Sequence, residues 1–252
     1  MFKTKWGIMI KVLKKRRILV YSLVIPLILC IGTIIFFLTA KNFDAYQYYL
    51  SKFPKQAEMK GQSLTTGTAE VLLESSQTLG VDKIQGFENA EKNPSVPNFS
   101  LPLKYKEPMK YNQGMFTIYL VPLDAKESKG KIFDNKLVYP GTYRSVDTIY
   151  YIYNGGVKED LVFKNEKSPT QIRWKMVLEN LTAQKKDDGT IEFKKNTDNQ
   201  LEFVFPKLYI VDKDGNKIDN KVSYDIQDDI LLLNIDRAGL SFSFLVSQII
   251  MP

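Results

Sequence analysis

The chain has 252 residues, of which 44% are hydrophobic and 25% are charged, a composition that excludes a disordered protein and predicts a packed core. Residues 1–17 hold seven of the 35 basic residues and no acid, so the 28 basic residues that remain balance the 28 acidic ones. The net charge of +7 therefore belongs to the N-terminal tail, and nucleic acid is not expected as a partner of the rest of the chain.

A hydrophobic segment follows this basic tail. Residues 18–40 run for 23 residues without a charge, which is the length of a helix that crosses a hydrocarbon core of roughly 30 Å. Basic residues directly before a span favour a cytoplasmic N-terminus. We therefore predict a basic cytoplasmic tail (1–17) and a single transmembrane signal anchor (18–40) with the lipid bilayer as its partner. The C-terminal part is expected to be extracytoplasmic, at the cell membrane.

Two other interpretations of this segment are weaker. A cleavable signal peptide has an apolar region of about 7–15 residues and a small-x-small cleavage site, whereas this run is longer and Leu38-Thr39-Ala40 matches that site poorly. Lipid attachment at Cys30 would need a small residue before it, and Leu29 stands there. The uncleaved anchor is therefore favoured over both.

Histidine is missing from the chain, and the single cysteine, Cys30, lies inside the predicted span. Ser-His-Asp and Cys-His catalysis, zinc sites built from His or Cys, and haem ligation by His are therefore excluded. From these exclusions we predict that the protein is not an enzyme and uses no cofactor. No catalytic, cofactor-binding or metal-binding residue is assigned.

Residues 41–109 are predicted to form a juxtamembrane helix and a proline-containing linker. Within residues 41–60, aromatic and leucine side chains recur at the spacing of a short amphipathic helix, and the aromatic ones suit a membrane interface. These residues are Phe43, Tyr46, Tyr49 and Leu50. Residues 91–108 contain four prolines and are interpreted as an extended linker or edge segment.

From about residue 110 the pattern changes to strands separated by turns. Residues 146–153 and 157–163 flank Asn154-Gly155-Gly156, a strong hairpin signal because Asn and Gly accept positive φ. Residues 170–181 fit a helix or a strand, and their apolar residues at every second position favour the strand. The predicted fold over residues 110–252 is mainly β, an antiparallel sandwich or barrel-like domain preceded by the single N-terminal transmembrane helix.

A shorter strand is predicted at residues 135–143, with its end at Pro140-Gly141, because proline removes a backbone donor and the Pro-Gly pair favours a turn.

Several loose sequence signals recur in a fixed order over about residues 135–250. They are Val146-Asp147, Tyr150, Gly155 to Leu161, Asp188 to Phe193, and Pro206 to Ile218. This order resembles a β-rich module near the N-terminus of large bacterial surface proteins of the Rhs/YD-repeat and wall-associated type. The resemblance implies an extracellular, non-catalytic module that precedes adhesive, repeat or toxin-bearing parts.

A candidate calcium loop lies at residues 212–219. Oxygen-bearing side chains alternate there, at Asp212, Asp214 and Asn216. An EF-hand loop needs Gly at position six and Glu at position twelve, whereas Gly215 is the fourth residue here and Ser223 is the twelfth. The Asp-Gly pair is better explained by a hairpin turn.

Glu159 and Asp160 suggest a pair of catalytic carboxylates for glycoside hydrolysis. Adjacent residues of a strand point to opposite faces of the sheet, so these two acids are not expected to act on one bond. A solvated strand face is the favoured interpretation.

Two other candidate sites follow from side-chain chemistry. Ser-Lys catalysis needs no histidine, and Ser51 and Ser63 lie near the membrane exit, but neither has the Ser-Met context of signal peptidases. Tyr150, Tyr151 and Tyr153 occupy both faces of one strand, so at least one is expected to face solvent. Core or cross-strand contacts are nevertheless the favoured interpretation of such aromatic residues, and a binding role is the weaker one.

We therefore predict a single-pass, membrane-anchored cell-surface protein whose external β domain has a structural or binding role, as an adhesin or surface module. A surface protein, a peptide or a glycan is the class of ligand considered. The alternatives are a membrane-anchored hydrolase that uses carboxylates or a Ser-Lys pair, and a truncated fragment of a larger surface or toxin protein.

Overall fold

The computed structural model describes residues 40–58, 70–74, 98–133, 136–153 and 156–251. The predicted tail (1–17), and all of the predicted span (18–40) except Ala40, lie outside these residues. Among the helices within the described ranges, none is long and apolar enough to cross a membrane. The chain divides into two compact units, Met1–Phe43 and Asp44–Pro252, and only residues 40–43 of the first are described.

Helical residues precede the strands in the described part of the chain. Residues 40–52 are helical (α1), and Pro54–Ala57 forms α2, with proline at the first helical position, where its missing N–H costs nothing. Tyr46, Tyr49 and Phe53 are buried and recur at helical spacing. The predicted helix within residues 41–60 is therefore confirmed.

The first sheet has seven strands in the order β1-β2-β3-β4-β9-β16-β15. Their bounds are Glu70–Glu74 (β1), Asn98–Pro102 (β2), Met109–Gln113 (β3), Phe116–Leu123 (β4), Gln171–Glu179 (β9), Val222–Gln227 (β15) and Ile230–Ile235 (β16).

The second sheet also has seven strands, in the order β14-β13-β17-β8-β7-β6-β5. Their bounds are Lys131–Phe133 (β5), Lys136–Tyr143 (β6), Val146–Tyr153 (β7), Gly156–Phe163 (β8), Tyr209–Asp212 (β13), Lys217–Ile218 (β14) and Phe244–Ile250 (β17). A small third sheet contains Leu181–Lys185 (β10), Ile191–Lys195 (β11) and Leu201–Phe205 (β12).

Strand pairing is antiparallel in all three sheets, except that β1 pairs with β2 in parallel within the described residues. The inward faces of the two large sheets share one buried core, in which Trp174 of the first sheet and Phe163 of the second are fully buried. The Tyr150 hydroxyl reaches across from β7 to the Met109 Sδ of β3 at 2.8 Å. The predicted mainly β, antiparallel fold is confirmed, and the arrangement is sandwich-like.

The hairpin and strand predictions for the middle of the chain are confirmed. β7 and β8 pair from Val146 with Phe163 to Tyr153 with Gly156, and the predicted turn residues Asn154 and Gly155 lie outside the described residues. Residues 171–179 form a strand, not a helix, because every second side chain from Ile172 to Met176 is buried while those between are exposed.

Two local predictions are wrong. Residues 98–102, expected in a linker or edge segment, form a strand with neighbours on both sides, because Phe99 and Leu101 fill the core. The sheet therefore begins before residue 110, where the β domain was predicted to start. β6 also does not stop at Pro140-Gly141: its register shifts between Tyr139 and Tyr143, a bulge in which Gly141 takes a φ of 62°.

Candidate functional site

Three consecutive ionisable side chains of β8 are buried. Lys158 and Glu159 are each 1% exposed, and Asp160 is 0% exposed. Glu159 points toward the core between the large sheets, where it contacts Tyr150, whereas Asp160 points to the other face, where it contacts Tyr49 of α1. The predicted opposite orientation of the two acids is confirmed. The predicted solvated face is wrong, because α1 covers one side of β8 and the first sheet covers the other.

Asp160 is the centre of a cluster that we call the outer cluster, formed by Tyr49, Tyr151, Lys158, Asp160 and Ser247. Lys158 Nζ and Ser247 Oγ donate to Asp160 Oδ1 at 2.5 and 2.7 Å. The hydroxyls of Tyr49 and Tyr151 donate to Oδ2 at 2.7 and 3.2 Å. Each carboxylate oxygen thus has two donors, which compensates for its burial.

The outer cluster lies beneath α1. Aromatic side chains of the helix pack on a row of apolar residues from the outward face of the second sheet. Tyr46 and Tyr49 come from α1 and Phe53 from the residue between α1 and α2, and the sheet contributes Val138, Ile149, Val162, Val211 and Leu245. Tyr46 and Tyr49, expected at a membrane interface, are thus buried in protein contacts.

Polar contacts support the same packing. Lys136 Nζ donates to the carbonyl oxygen of Ala57 at 3.0 Å, and the hydroxyls of Tyr48 and Ser243 are hydrogen-bonded. Burial, followed by the charge of Asp160, raises the pKa of Tyr49 above its ordinary value, so this hydroxyl stays protonated and remains a donor to Asp160.

The outer cluster brings together a serine, a lysine and an aspartate, which are groups used in hydrolytic chemistry. Ser247, Lys158 and Asp160 are each no more than 1% exposed, and the serine hydroxyl donates to the aspartate. A substrate therefore has no access to them while α1 is in place. In this structure the outer cluster holds α1 on the second sheet through hydrogen bonds.

A second cluster, which we call the inner cluster, surrounds Glu159 between the large sheets. The hydroxyl of Tyr150 donates to Glu159 Oε1, and that of Tyr105 donates to the same oxygen at 3.5 Å. Burial raises the pKa of Glu159 to about 8, although the hydrogen bonds from Tyr150 and Tyr105 oppose this rise. The carboxyl group is therefore mainly protonated at neutral pH.

The tyrosines of β7 and the two serines that the sequence suggested as candidate site residues do not form a common site among the described residues. Tyr150 and Tyr151 are 1% and 3% exposed, so the favoured core interpretation is confirmed for these two. The exposure of Tyr153 stays a prediction. Ser51 is exposed and donates its hydroxyl to the carbonyl oxygen of Tyr48 at 2.9 Å. Ser63 lies outside the described residues.

The turn interpretation of residues 212–219 is confirmed. Asp212 Oδ1 accepts hydrogen bonds from the backbone N–H groups of Asp214 and Asn216 at 2.9 and 2.8 Å. Its Oδ2 accepts one from Asn216 Nδ2 at 2.9 Å. The carboxylate thus holds the hairpin that joins β13 to β14, as Asp does in many turns.

Replacing Asp212 with alanine should lower the free energy of unfolding by about 1 kcal/mol, because hydrogen bonds that hold the turn are lost. The neighbouring Asp214→Ala substitution removes an exposed carboxylate and should change the free energy of unfolding by less than about 0.5 kcal/mol. Thermal unfolding with and without calcium measures both effects. A calcium-dependent stabilisation of the natural chain that disappears in Asp212→Ala would instead support the calcium loop.

A polar cleft lies on the outward face of the first sheet and was not predicted from the sequence. The strand register aligns Gln171, Asn234 and Ser223 across β9, β16 and β15, and Gln171 Nε2 donates to Asn234 Oδ1 at 2.8 Å. An ion pair between Lys221 and Asp236, at 2.6 Å, borders the cleft, which has a volume of about 380 Å³. Its amide, hydroxyl and charged groups offer donors and acceptors to a polar ligand.

Comparison of the chain with protein-family models, with curated proteins and with solved structures finds no match. The resemblance to the bacterial surface module therefore stays a prediction. Among the described residues, no group of three or more Cys, Asp or Glu side chains is arranged to hold a metal ion.

Proposed function

We propose that the protein is a single-pass, membrane-anchored cell-surface protein whose β unit has a non-catalytic, structural or binding role outside the cytoplasm. The observation that carries this proposal is the packing of α1. This helix directly follows the predicted anchor, and from Asp44 onward it belongs to the compact β unit. The segment after the anchor is thus part of the fold rather than a free tether.

The distribution of polar groups supports a binding role over a catalytic one. The acids that the sequence singles out are buried and hydrogen-bonded inside the fold. The outward face of the first sheet is accessible: the side chains of Arg173 and Lys175 are 45% and 52% exposed, and Val177 is 42% exposed. Together with the polar cleft, this face is the binding surface that we propose.

Cysteine labelling tests the topology. Cys30 is the single natural cysteine and lies inside the predicted span, so a new cysteine reports its own location. In intact cells, a membrane-impermeant maleimide should label Val177→Cys and Leu201→Cys, whose natural side chains are 42% and 50% exposed. The Lys5→Cys variant should be labelled only after permeabilisation. The reverse pattern would overturn the proposed topology.

A serine-reactive probe tests the non-catalytic role. The full-length protein should show no labelling that depends on Ser247, because this hydroxyl is buried and donates to Asp160. Ser247→Ala and the exposed Ser51→Ala variant serve as the two comparisons. Labelling of the natural chain that is lost in Ser247→Ala and retained in Ser51→Ala would favour the hydrolase.

A further inference from the structure

The inner cluster contains a buried acid without a cationic partner. Glu159 is 1% exposed and forms no ion pair with any residue that the structure describes. Lys158, its neighbour on β8, points to the outer cluster and pairs with Asp160 there. Among the described residues, the hydrogen-bond donors to Glu159 are the neutral hydroxyl groups of Tyr105 and Tyr150.

The residue of β17 that faces Glu159 in the strand register is the neutral Gln248, which is 3% exposed. Six buried tyrosines lie close enough to interact electrostatically with Glu159. These residues are Tyr105 from the β2–β3 connection, Tyr111 from β3, Tyr139 and Tyr143 from β6, Tyr150 from β7 and Tyr224 from β15. Burial raises the pKa of each above its ordinary value, so all six are neutral over the pH range in which Glu159 titrates. The negative charge of Asp160, on the opposite face of β8, opposes ionisation of Glu159.

The contacts of Glu159 and Tyr150 connect the two large sheets. Tyr150 and Glu159 belong to the second sheet, whereas Met109, whose Sδ lies 2.8 Å from the Tyr150 hydroxyl oxygen, belongs to the first. An ionised carboxylate at this position would be surrounded by aromatic rings, neutral hydroxyl groups and the neutral amide of Gln248, and such burial of an uncompensated charge is costly.

We propose that Glu159 is a proton-binding site that couples the packing of the two large sheets to the pH of the surrounding solution. With its proton bound, the carboxyl group stays between Tyr105 and Tyr150 and the sheets are closed on one another. When the proton is lost, hydration of the carboxylate is favoured over its burial, and the packing between β8 and the first sheet loosens. This proton-dependent packing goes beyond the proposed surface role and does not depend on which ligand the protein binds.

The direction of the pH effect follows from proton linkage. The pKa of Glu159 is about 8 in the folded protein and about 4.5 when the side chain is free, so the folded state binds more protons between these values. The contribution of Glu159 to stability is therefore complete below about pH 4.5, falls as the pH rises, and levels off above about pH 8. Across this interval the unfolding equilibrium constant should rise by roughly a thousand-fold.

The composition of the chain makes this effect measurable. No histidine is present, and His is the side chain whose ordinary pKa lies between 5 and 8. A fall in stability over that interval can therefore be assigned to Glu159 without a contribution from histidine.

The test is chemical unfolding of the full-length protein in detergent between pH 5 and 9. Three chains are compared: the natural one, Glu159→Gln, and Glu179→Gln, which makes the same change at an exposed position of β9. Glutamine keeps the carbonyl oxygen that Tyr150 and Tyr105 contact but cannot ionise. Glu159→Gln should remove the pH dependence between pH 5 and 8, and Glu179→Gln should retain it. An unchanged slope in Glu159→Gln would overturn the proposal.

Infrared spectroscopy of the natural chain provides a second measurement that does not depend on folding of a variant. The carbonyl band of a protonated carboxylic acid should persist at pH 7, when exposed carboxyl groups are ionised, and should disappear near pH 8. Absence of this band at pH 7 would also overturn the proposal. Neither measurement depends on the membrane topology. A failure of the proposal about Glu159 is therefore distinguishable from a failure of the proposed function.

Discussion

Replacing Asp160 with alanine is expected to lower the free energy of unfolding by about 3–5 kcal/mol. The substitution leaves the Lys158 ammonium group, which is 1% exposed, without its carboxylate partner at 2.5 Å. It also removes the acceptor of three hydroxyl groups, those of Tyr49, Tyr151 and Ser247. Urea unfolding of the full-length protein measures the loss.

The partner substitution should cost less. In Lys158→Met, Asp160 keeps three hydroxyl donors. In Asp160→Ala, the contact that the ammonium group keeps among the described residues is the face of the Tyr151 ring, 5.0 Å from its centroid. The double variant Lys158→Met/Asp160→Ala should be less destabilised than the sum of the two single variants, because the uncompensated charge is gone. Strict additivity of the two effects would contradict the buried ion pair.

Much of the fold follows from local sequence signals. The alternation of apolar residues in β9 and the Asn-Gly turn signal between β7 and β8 act over a few residues, so they predicted strands that the structure confirms. The parallel pairing of β1 with β2 has no such signal. Parallel strands are joined by long connections, and their pairing is decided by tertiary packing.

The two clusters of β8 were not predictable in the same way. Lys158, Glu159 and Asp160 are charged, and charged residues are rarely buried without partners, which is why a solvated strand was expected. Their partners come from far along the chain: Tyr49 is 111 residues from Asp160, and Ser247 is 87 residues from it. A signal was nevertheless present, since tyrosines at successive positions 150 and 151 offer one hydroxyl to each face of the neighbouring strand.

Replacing Tyr49 with alanine is expected to release α1 from the second sheet. Tyr49 is 0% exposed, packs beside Phe53 with ring centroids 6.3 Å apart, and donates its hydroxyl to Asp160. Truncating a buried aromatic side chain costs about 3–5 kcal/mol. Alanine is the strongest helix former, so this loss comes from docking and not from the helix itself.

Limited trypsin digestion of the full-length protein measures the release, because Lys52 and Lys55 are exposed residues at the end of the helical segment. If cleavage requires α1 to detach, a loss of about 3 kcal/mol raises the cleavage rate by roughly a hundred-fold. Gln47→Ala makes the same helix-favouring change at an exposed position of α1 and should leave the rate unchanged. Equal cleavage rates of Tyr49→Ala and the natural chain would show that contacts other than those of Tyr49 hold the helix. The packing of α1 on the second sheet would then no longer support the proposed function.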